Sequence, residues 1–551
     1  MTASRACSRL GRSLFLSLAL LAAGCGGPVA PDLVITNARV FTADTARPWA
    51  EAFAVKRDRI VAVGMTSAVA TLAGPATRVL DAGGRVVVPG FNDAHVHVGI
   101  GPEATRLALG DDPTLDDVAV ALGATAAQAP PGQLVRGTIG ITAWQDPRLT
   151  RDWLDARASG RPVWLSMWTG HGDVLNSAAL TLVGLDDAVQ DPRGGRYGRD
   201  QGGRLDGRLE EYAGYISGRR LAQRTPPDVA VRRYRAFAVE AVKHGITSVQ
   251  LMSDGLPSAA AVRALLDADT PLRWRIFRFP QTEAGAEATD SRPHLPPQPS
   301  PRLDVRGVKW ILDGTPIERL AALQAPYDDA PGERGRLNVD TALLDGIVRE
   351  GYGTEQQLAV HAVGDAAIDA YLSTLARVGT PGVWQRKRPR LEHGDLLTPA
   401  LAVRARALGV VVVQNPSHFL FPTVYADRLG ARVAQFQPLA SLLTAGIPLA
   451  LGSDGPLNPF LNIAWAASHP SHPAEALTRE QAVTAYTRGS AFAEFTERDK
   501  GWIGAGALAD FVVLSDDLFT VPAERLPVVS SVLTVIGGAI VYDPGVVAPR
   551  P

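Results

Sequence analysis

Cysteine is almost absent: the 551 residues hold two, Cys7 and Cys25, so no disulfide framework staples the chain. Neither charge is in excess, with 55 Lys and Arg against 56 Asp and Glu, which excludes the basic footprint of a nucleic-acid binder. No apolar run reaches the roughly 20 residues that span a bilayer. Internal repeats, heptads and low-complexity tracts are missing too. What is there is ordinary globular material, 46% hydrophobic and 20% charged, with ample substance for a large core.

The N-terminus is a targeting segment. Arg5, Arg9 and Arg12 precede the run Leu14 to Leu21, which is too short to span and is followed by small residues, so residues 1–25 read as a secretory signal. Leu21-Ala22-Ala23-Gly24-Cys25 resembles a bacterial lipoprotein box, with Ala22 standing where Leu is usual. The expectation is an exported bacterial lipoprotein on the periplasmic or cell-surface side, held to the membrane by a lipid on Cys25. Cys7 would leave with the signal, and the mature chain would keep one Cys.

The chemistry centres on Val86 to His97, Val-Val-Val-Pro-Gly-Phe-Asn-Asp-Ala-His-Val-His, whose β-branched start reads as a buried strand. Side chains alternate along a strand, so His95 and His97 share a face and can grip one metal ion. Later apolar segments also end in polar groups able to bind a metal: Gly307 to Trp310 with Lys309, Leu358 to His361, Pro389 to His393 and Leu449 to Asp454. Parallel strands that each deliver a functional group at the C-terminal end describe a (β/α) barrel with its site at that mouth.

The fold class expected is therefore α/β, a (β/α)8 TIM-like barrel over residues 86–500. Short strands separated by turn formers fill residues 32–85 and recur in 501–545, so both termini are expected to meet in a small β-sandwich. Residues 98–240 read as insertions that shape the substrate pocket, with Gly194 to Gly207 as a polar loop.

The ordered motifs resemble the amidohydrolase superfamily, in its N-substituted-formamide-deformylase-like branch. They are Pro89-Gly90-Phe91 to His97, Gly170-His171 with Asn176 to Leu180, Val308-Lys309 with Asp313-Gly314, His361 to Asp365, Glu392-His393, Asn415 to His418, Gly452-Ser453-Asp454, and Gly506 to Phe511. The resemblance implies one or two divalent metals, zinc foremost, with iron or manganese as other occupants. His95 and His97 would bind the first metal, His361 and His393 the second, and Asp454 would touch the first metal and handle the proton of the attacking water. Lys309, buried beside dications, would be driven towards its neutral amine and could capture carbon dioxide as a carbamate that bridges two ions, a modification the resemblance also implies.

Other residues have weaker assignments. His171 and His418 match positions near the substrate, and each is equally readable as a satisfied wall residue. Thr169 stands before Gly170-His171 where the family often has Asp. Asp313 shares a strand face with Lys309 and is a candidate for supporting the site or binding substrate. Arg319 could hold an acidic substrate group or be a solvated loop charge. Glu392 should face away from His393, paired between barrel and helices. The reaction implied is hydrolysis of a C–N bond outside peptide chains, in a small amide, formamide, carbamate or cyclic amide. The competing readings are a lactonase, esterase or phosphotriesterase on the same metals, and a non-catalytic surface lipoprotein. The expected partners are a small-molecule substrate and the membrane, with no nucleic acid and a homo-oligomer left open.

Overall fold

Eight strands form one all-parallel sheet in the computed structural model, which describes residues 30–282 and 296–547. Cys7, Cys25 and the rest of the N-terminal segment, and His294, lie outside the described residues. In chain order the strands are β1 (Phe91–Val96), β2 (Ile246–Ser253), β3 (Arg273–Arg278), β4 (Leu303–Ile311), β5 (Gln357–Ala362), β6 (Arg390–His393), β7 (Val411–Gln414) and β8 (Leu449–Leu451). Each pairs with the next, and the seam between β8 and β1 is drawn together where the Asp454 N–H donates to the His95 carbonyl at 2.9 Å. Runs such as Val411-Val412-Val413 are buried throughout, as strands covered on both faces must be. Helices such as Ser258–Ala268, Thr341–Gly353 and Asp365–Val378 link successive strands and cover the outside.

The termini build two further sheets. One holds Arg59–Gly64, Ala52–Lys56, Leu33–Thr36 and Arg78–Asp81; the other orders Ala539–Tyr542, Ser531–Ile536, Phe511–Leu514, Val86–Pro89, Arg39–Phe41 and Trp49–Ala50. They share one apolar core, in which Phe53 and Phe511 meet edge to face at 4.8 Å. The stretch Val86 to His97 is thus two strands rather than one. Val86–Pro89 pairs antiparallel with Phe511–Leu514, and the chain enters the barrel only after Gly90. Gly90 is required there, because a Cβ would stand 2.3 Å from the Thr247 side chain of β2.

The region read as pocket-shaping insertion carries its own six-stranded sheet, ordered Gly195–Arg199, Leu205–Glu211, Gly172–Leu175, Val163–Met167, Leu134–Ile139, Ala104–Arg106. The stretch Gly194 to Gly207 is mostly a hairpin, not a loop: Asp200 accepts from the amides of Gly202 and Arg204, each at 2.9 Å, and closes the turn.

A largely buried ion pair joins barrel to sandwich. Arg273 at the start of β3 donates to both oxygens of Asp510, at 2.7 and 3.0 Å, and Asp510 also takes the Gly537 amide. Asp510 is 3% exposed, so its removal strands a largely buried guanidinium. We expect Asp510→Ala to lose about 3 kcal/mol of stability in denaturant unfolding; a loss under about 1 kcal/mol contradicts this role.

Candidate metal centre

At the C-terminal mouth of the barrel six imidazoles pack into one group. Ring centroids lie 5.3 Å apart for His95 and His97, 5.1 Å for His95 and His393, 4.5 Å for His361 and His393, 4.7 Å for His171 and His361, and 4.7 Å for His393 and His418. Asp454 sits among them. Its Oδ1 is 3.8 Å from His95 Nε2 and 3.4 Å from His97 Nε2, and its Oδ2 is 4.0 Å from His393 Nε2 and 3.6 Å from His418 Nε2. The ligand atoms of His95, His393 and Asp454 lie within 4.8 Å of one another.

These spacings fit a metal better than direct bonding. Contacts of 3.8 and 4.0 Å are too long for hydrogen bonds. Two donors each about 2.0 to 2.2 Å from a tetrahedral ion stand roughly 3.4 Å apart, close to what surrounds Asp454. His361 Nε2 and His393 Nδ1 are also buried with no hydrogen-bond partner among the described residues, a costly state for ring nitrogens that a cation would relieve. The grouping of His95 with His393 crosses the two histidine pairs that the sequence resemblance separates between two metals.

The electrostatics divide the histidines into two kinds. Burial, aided by Lys309, pushes His95 down to about 4, and burial holds His361 and His393 well below the ordinary range, so their lone pairs stay free for an ion. For His171 and His418 burial is outweighed by a carboxylate: Glu211 raises His171, and Asp395 raises His418 to about 10. His97 is raised likewise by Asp254. Asp454 stays far below the usual carboxylate range, because His95, His418 and His97 outweigh its burial. Lys309 is 1% exposed, and burial lowers it to about 8 against the pull of Glu392 and Asp454.

Four of the imidazoles lean on carboxylates, as metal-site and polarised histidines commonly do. His95 Nδ1 meets Glu392 at 2.7 Å, His97 Nδ1 meets Asp254 at 3.2 Å, His171 Nδ1 meets Glu211 at 3.0 Å, and His418 Nδ1 meets Asp395 at 3.1 Å. Asp254, Glu211 and Asp395 were missed in the sequence. Asp254 lies one residue beyond β2, so the rule that flags polar residues at strand ends could have found it. Asp93 has a supporting part: its carboxylate takes the Ser453 amide at 2.8 Å and the Tyr486 hydroxyl at 2.7 Å, fixing the loop that carries Asp454 to β1.

Three expectations change. Glu392 does not face the helices; it is fully buried inside the barrel, because His393 takes a φ of +68° and breaks the alternation that would have set the two apart. Asp313 does not open towards a substrate: its carboxylate accepts the amides of Ala322, Val363 and Gly364, each at 2.9 Å, and stands 3.9 Å from His361 Nε2. It anchors the turn after β5. Arg319 pairs with Asp329 at 2.9 Å and lines a cavity of about 620 Å³ with Trp144, Asp206 and Arg208, whose lining includes none of the six histidines. Thr169, in the place of the usual Asp, bonds the half-buried Glu318, which sequence reasoning also passed over. His244 pairs with Glu240 at 3.2 Å, and His469 bonds the Gln437 carbonyl at 2.9 Å, both outside the cluster.

A near-closed parallel barrel with buried imidazoles and a carboxylate at its C-terminal mouth defines a metal-dependent hydrolase of the amidohydrolase superfamily. Residues 78–542 match the model of the Amidohydrolase family, and the chain belongs to that family. It is 30% identical over 502 residues to the putative amidohydrolase YtcJ of Bacillus subtilis (strain 168), covering 85% of this chain and 91% of the relative. It is 28% identical over 543 residues to the N-substituted formamide deformylase of Arthrobacter pascens, covering 93% of this chain and 98% of that one. Among solved structures, an uncharacterized metal-dependent hydrolase from Pyrococcus horikoshii OT3 superimposes with a TM-score of 0.71 at 21% identity, covering 90% of this chain and 99% of that chain.

Proposed function

We propose that this chain hydrolyses a non-peptide C–N bond in a small molecule, of the amide, formamide, carbamate or cyclic amide class. The observation that carries the reading is the carboxylate of Asp454 set among imidazoles, two of which have buried ring nitrogens without partners among the described residues. Similarity over nearly the whole length to a formamide deformylase supports the choice of bond.

His95, His97, His361 and His393 would hold one or two ions, with Asp454 as a further ligand to the first, and imidazole with carboxylate donors favours zinc. When bound, the ion lowers the pKa of water from about 15.7 towards 7 and polarises the scissile carbonyl. Asp454 takes the proton released as water attacks and returns it to the leaving nitrogen. His171 and His418, each polarised by a buried carboxylate, face the centre from two sides and can donate to the carbonyl oxygen as it gains charge. Lys309, buried in the barrel, would act as a carbamate bridging two ions.

The test is a substrate panel on protein stripped with a chelator and reloaded with zinc. N-substituted formamides, other amides and cyclic amides are compared with lactones, simple esters and phosphotriesters. Zinc-dependent release of an amine is the expected result; turnover confined to the oxygen and phosphorus esters overturns the C–N assignment. We also propose that Cys25 carries a lipid anchor. Cys25→Ser should then move the protein from the membrane fraction to the soluble one with its fold unchanged, and a wild-type protein already soluble contradicts the anchor.

A further inference from the structure

Beneath the histidine cluster lies a charged pair that the reaction does not use. Arg390 and Glu392, two residues apart on β6, are both 0% exposed. Arg390 grips both oxygens of Glu392, Nε to Oε1 at 2.7 Å and Nη2 to Oε2 at 2.9 Å. The same Nη2 donates to the Ala94 carbonyl on β1 at 2.8 Å, and Nη1 donates to Gln250 on β2. The guanidinium lies over the ring of Phe277 on β3, 4.5 Å from its centroid. Four strands thus hold one carboxylate in place, and its Oε2 is the atom that meets His95 Nδ1 at 2.7 Å.

Stability alone is a poor reason for this arrangement. A buried ion pair loses so much hydration that apolar residues of like volume are often as stabilising or more so. What an apolar pair cannot do is fix a ring. A carboxylate with no proton of its own accepts from Nδ1–H, so the opposite nitrogen, Nε2, carries the lone pair. His95 is confined from β8 as well, since a Cβ on Gly452 would stand 2.6 Å from the His95 Cβ.

We propose that Arg390 and Glu392 are positioning residues for the metal centre: together they lock His95 as its Nδ1-protonated tautomer, with Nε2 turned towards Asp454 and His97, before any ion arrives. The inference rests on the reading of His95 as a metal ligand. Arg390 contributes by holding both oxygens of Glu392 in place. Without it the carboxylate would be a lone buried charge beside a metal and free to turn onto the ion itself.

The experiment measures zinc affinity of the full chain by competition with a chromophoric chelator, with circular dichroism of each apoprotein alongside. Glu392→Asp keeps the charge and can keep the Arg390 contact but withdraws the oxygen from His95 by one methylene; Glu392→Gln sets an amide donor against either Arg390 or His95. Each should lose about ten- to a hundredfold in zinc affinity, the range for outer partners of metal ligands. The control is Glu494→Gln, which breaks another buried pair in the same barrel floor, Glu494 with Lys500 at 2.7 Å, and does not touch His95. It should destabilise the fold and leave zinc affinity within about twofold of wild type. Equal zinc affinities for Glu392→Asp, Glu494→Gln and wild type overturn the positioning role. So does failure of both Glu392 variants to fold where Glu494→Gln folds, because the pair then carries the barrel and not the ligand. A wild-type protein that binds no zinc overturns the metal reading and this inference together, whereas zinc binding unchanged by the Glu392 variants overturns only the latter.

Discussion

Asp454→Asn lowers kcat by at least about a hundredfold on any substrate the zinc-loaded wild type turns over, in line with the size of general acid–base contributions. The change alters little in shape, since Asn keeps the length and one oxygen of the side chain. It removes the negative charge that four imidazole Nε2 atoms face at 3.4 to 4.0 Å. It also removes the carboxylate proposed to take a proton from water at the centre and pass it on. Assays at saturating zinc separate this loss from weaker metal binding. His95→Ala should behave differently, with metal content falling first and activity partly regained at high zinc. Near-normal turnover by Asp454→Asn with zinc saturating defeats the proton-shuttle role.

How far the sequence disclosed this site follows from how each residue sits on its strand. His95, His361 and Asp454 were legible because each stands at or just past the C-terminal end of an apolar run, where a barrel presents its chemistry. Glu392 was misread because strand parity holds only while the backbone stays extended, and His393 leaves that region at the last residue of β6. Glu211 was hidden for two reasons. It ends the strand Leu205–Glu211, whose start falls within the stretch Gly194 to Gly207 that read as a loop, and it holds a φ of +54° that no local pattern signals. Its oxygen fills the space a side chain at Gly314 would need, 2.2 Å from that Cβ position, so the pairing depends on contacts a hundred residues away. The terminal sandwich was visible as short strands, while the division of Val86 to His97 between sandwich and barrel was not, because pairing partners more than four hundred residues apart decide it. The inserted six-stranded sheet escaped as a sheet because charge and glycine mask its strands: Gly195–Arg199 carries two arginines, and Leu205–Glu211, although its burial alternates strictly, has Gly207 and Glu211 among its buried positions.

Lys309 gives the sharpest remaining test, because its two possible states act in opposite directions on stability. In the metal-free protein, burial lowers it from an ordinary 10.5 to about 8, and no hydrogen bond or close ion pair holds its ammonium among the described residues. Between those two values the unfolded chain binds a proton that the folded chain does not, so stability rises with pH across that window and reaches its full value above 10.5. Below about 8 both states are protonated, and the folded protein bears the whole cost of a buried cation. Lys309→Met removes that cost. The metal-free variant should therefore be more stable than metal-free wild type at pH 7 by about 3 kcal/mol, the equivalent of the shift, with the gap closing as the pH approaches 10. With zinc and bicarbonate present the order should reverse. A neutral amine adds to carbon dioxide, forming an N–C bond and releasing one proton, and the product carries two oxygens and one negative charge suited to lie between two cations. Wild type should then bind up to two zinc ions per chain, Lys309→Met and Lys309→Ala should lose at least one of them together with nearly all activity, and Lys309→Glu should recover part by returning a carboxylate to the same place. Two zinc ions retained by Lys309→Ala, measured by elemental analysis at saturating metal, would show that the lysine has no part in holding them.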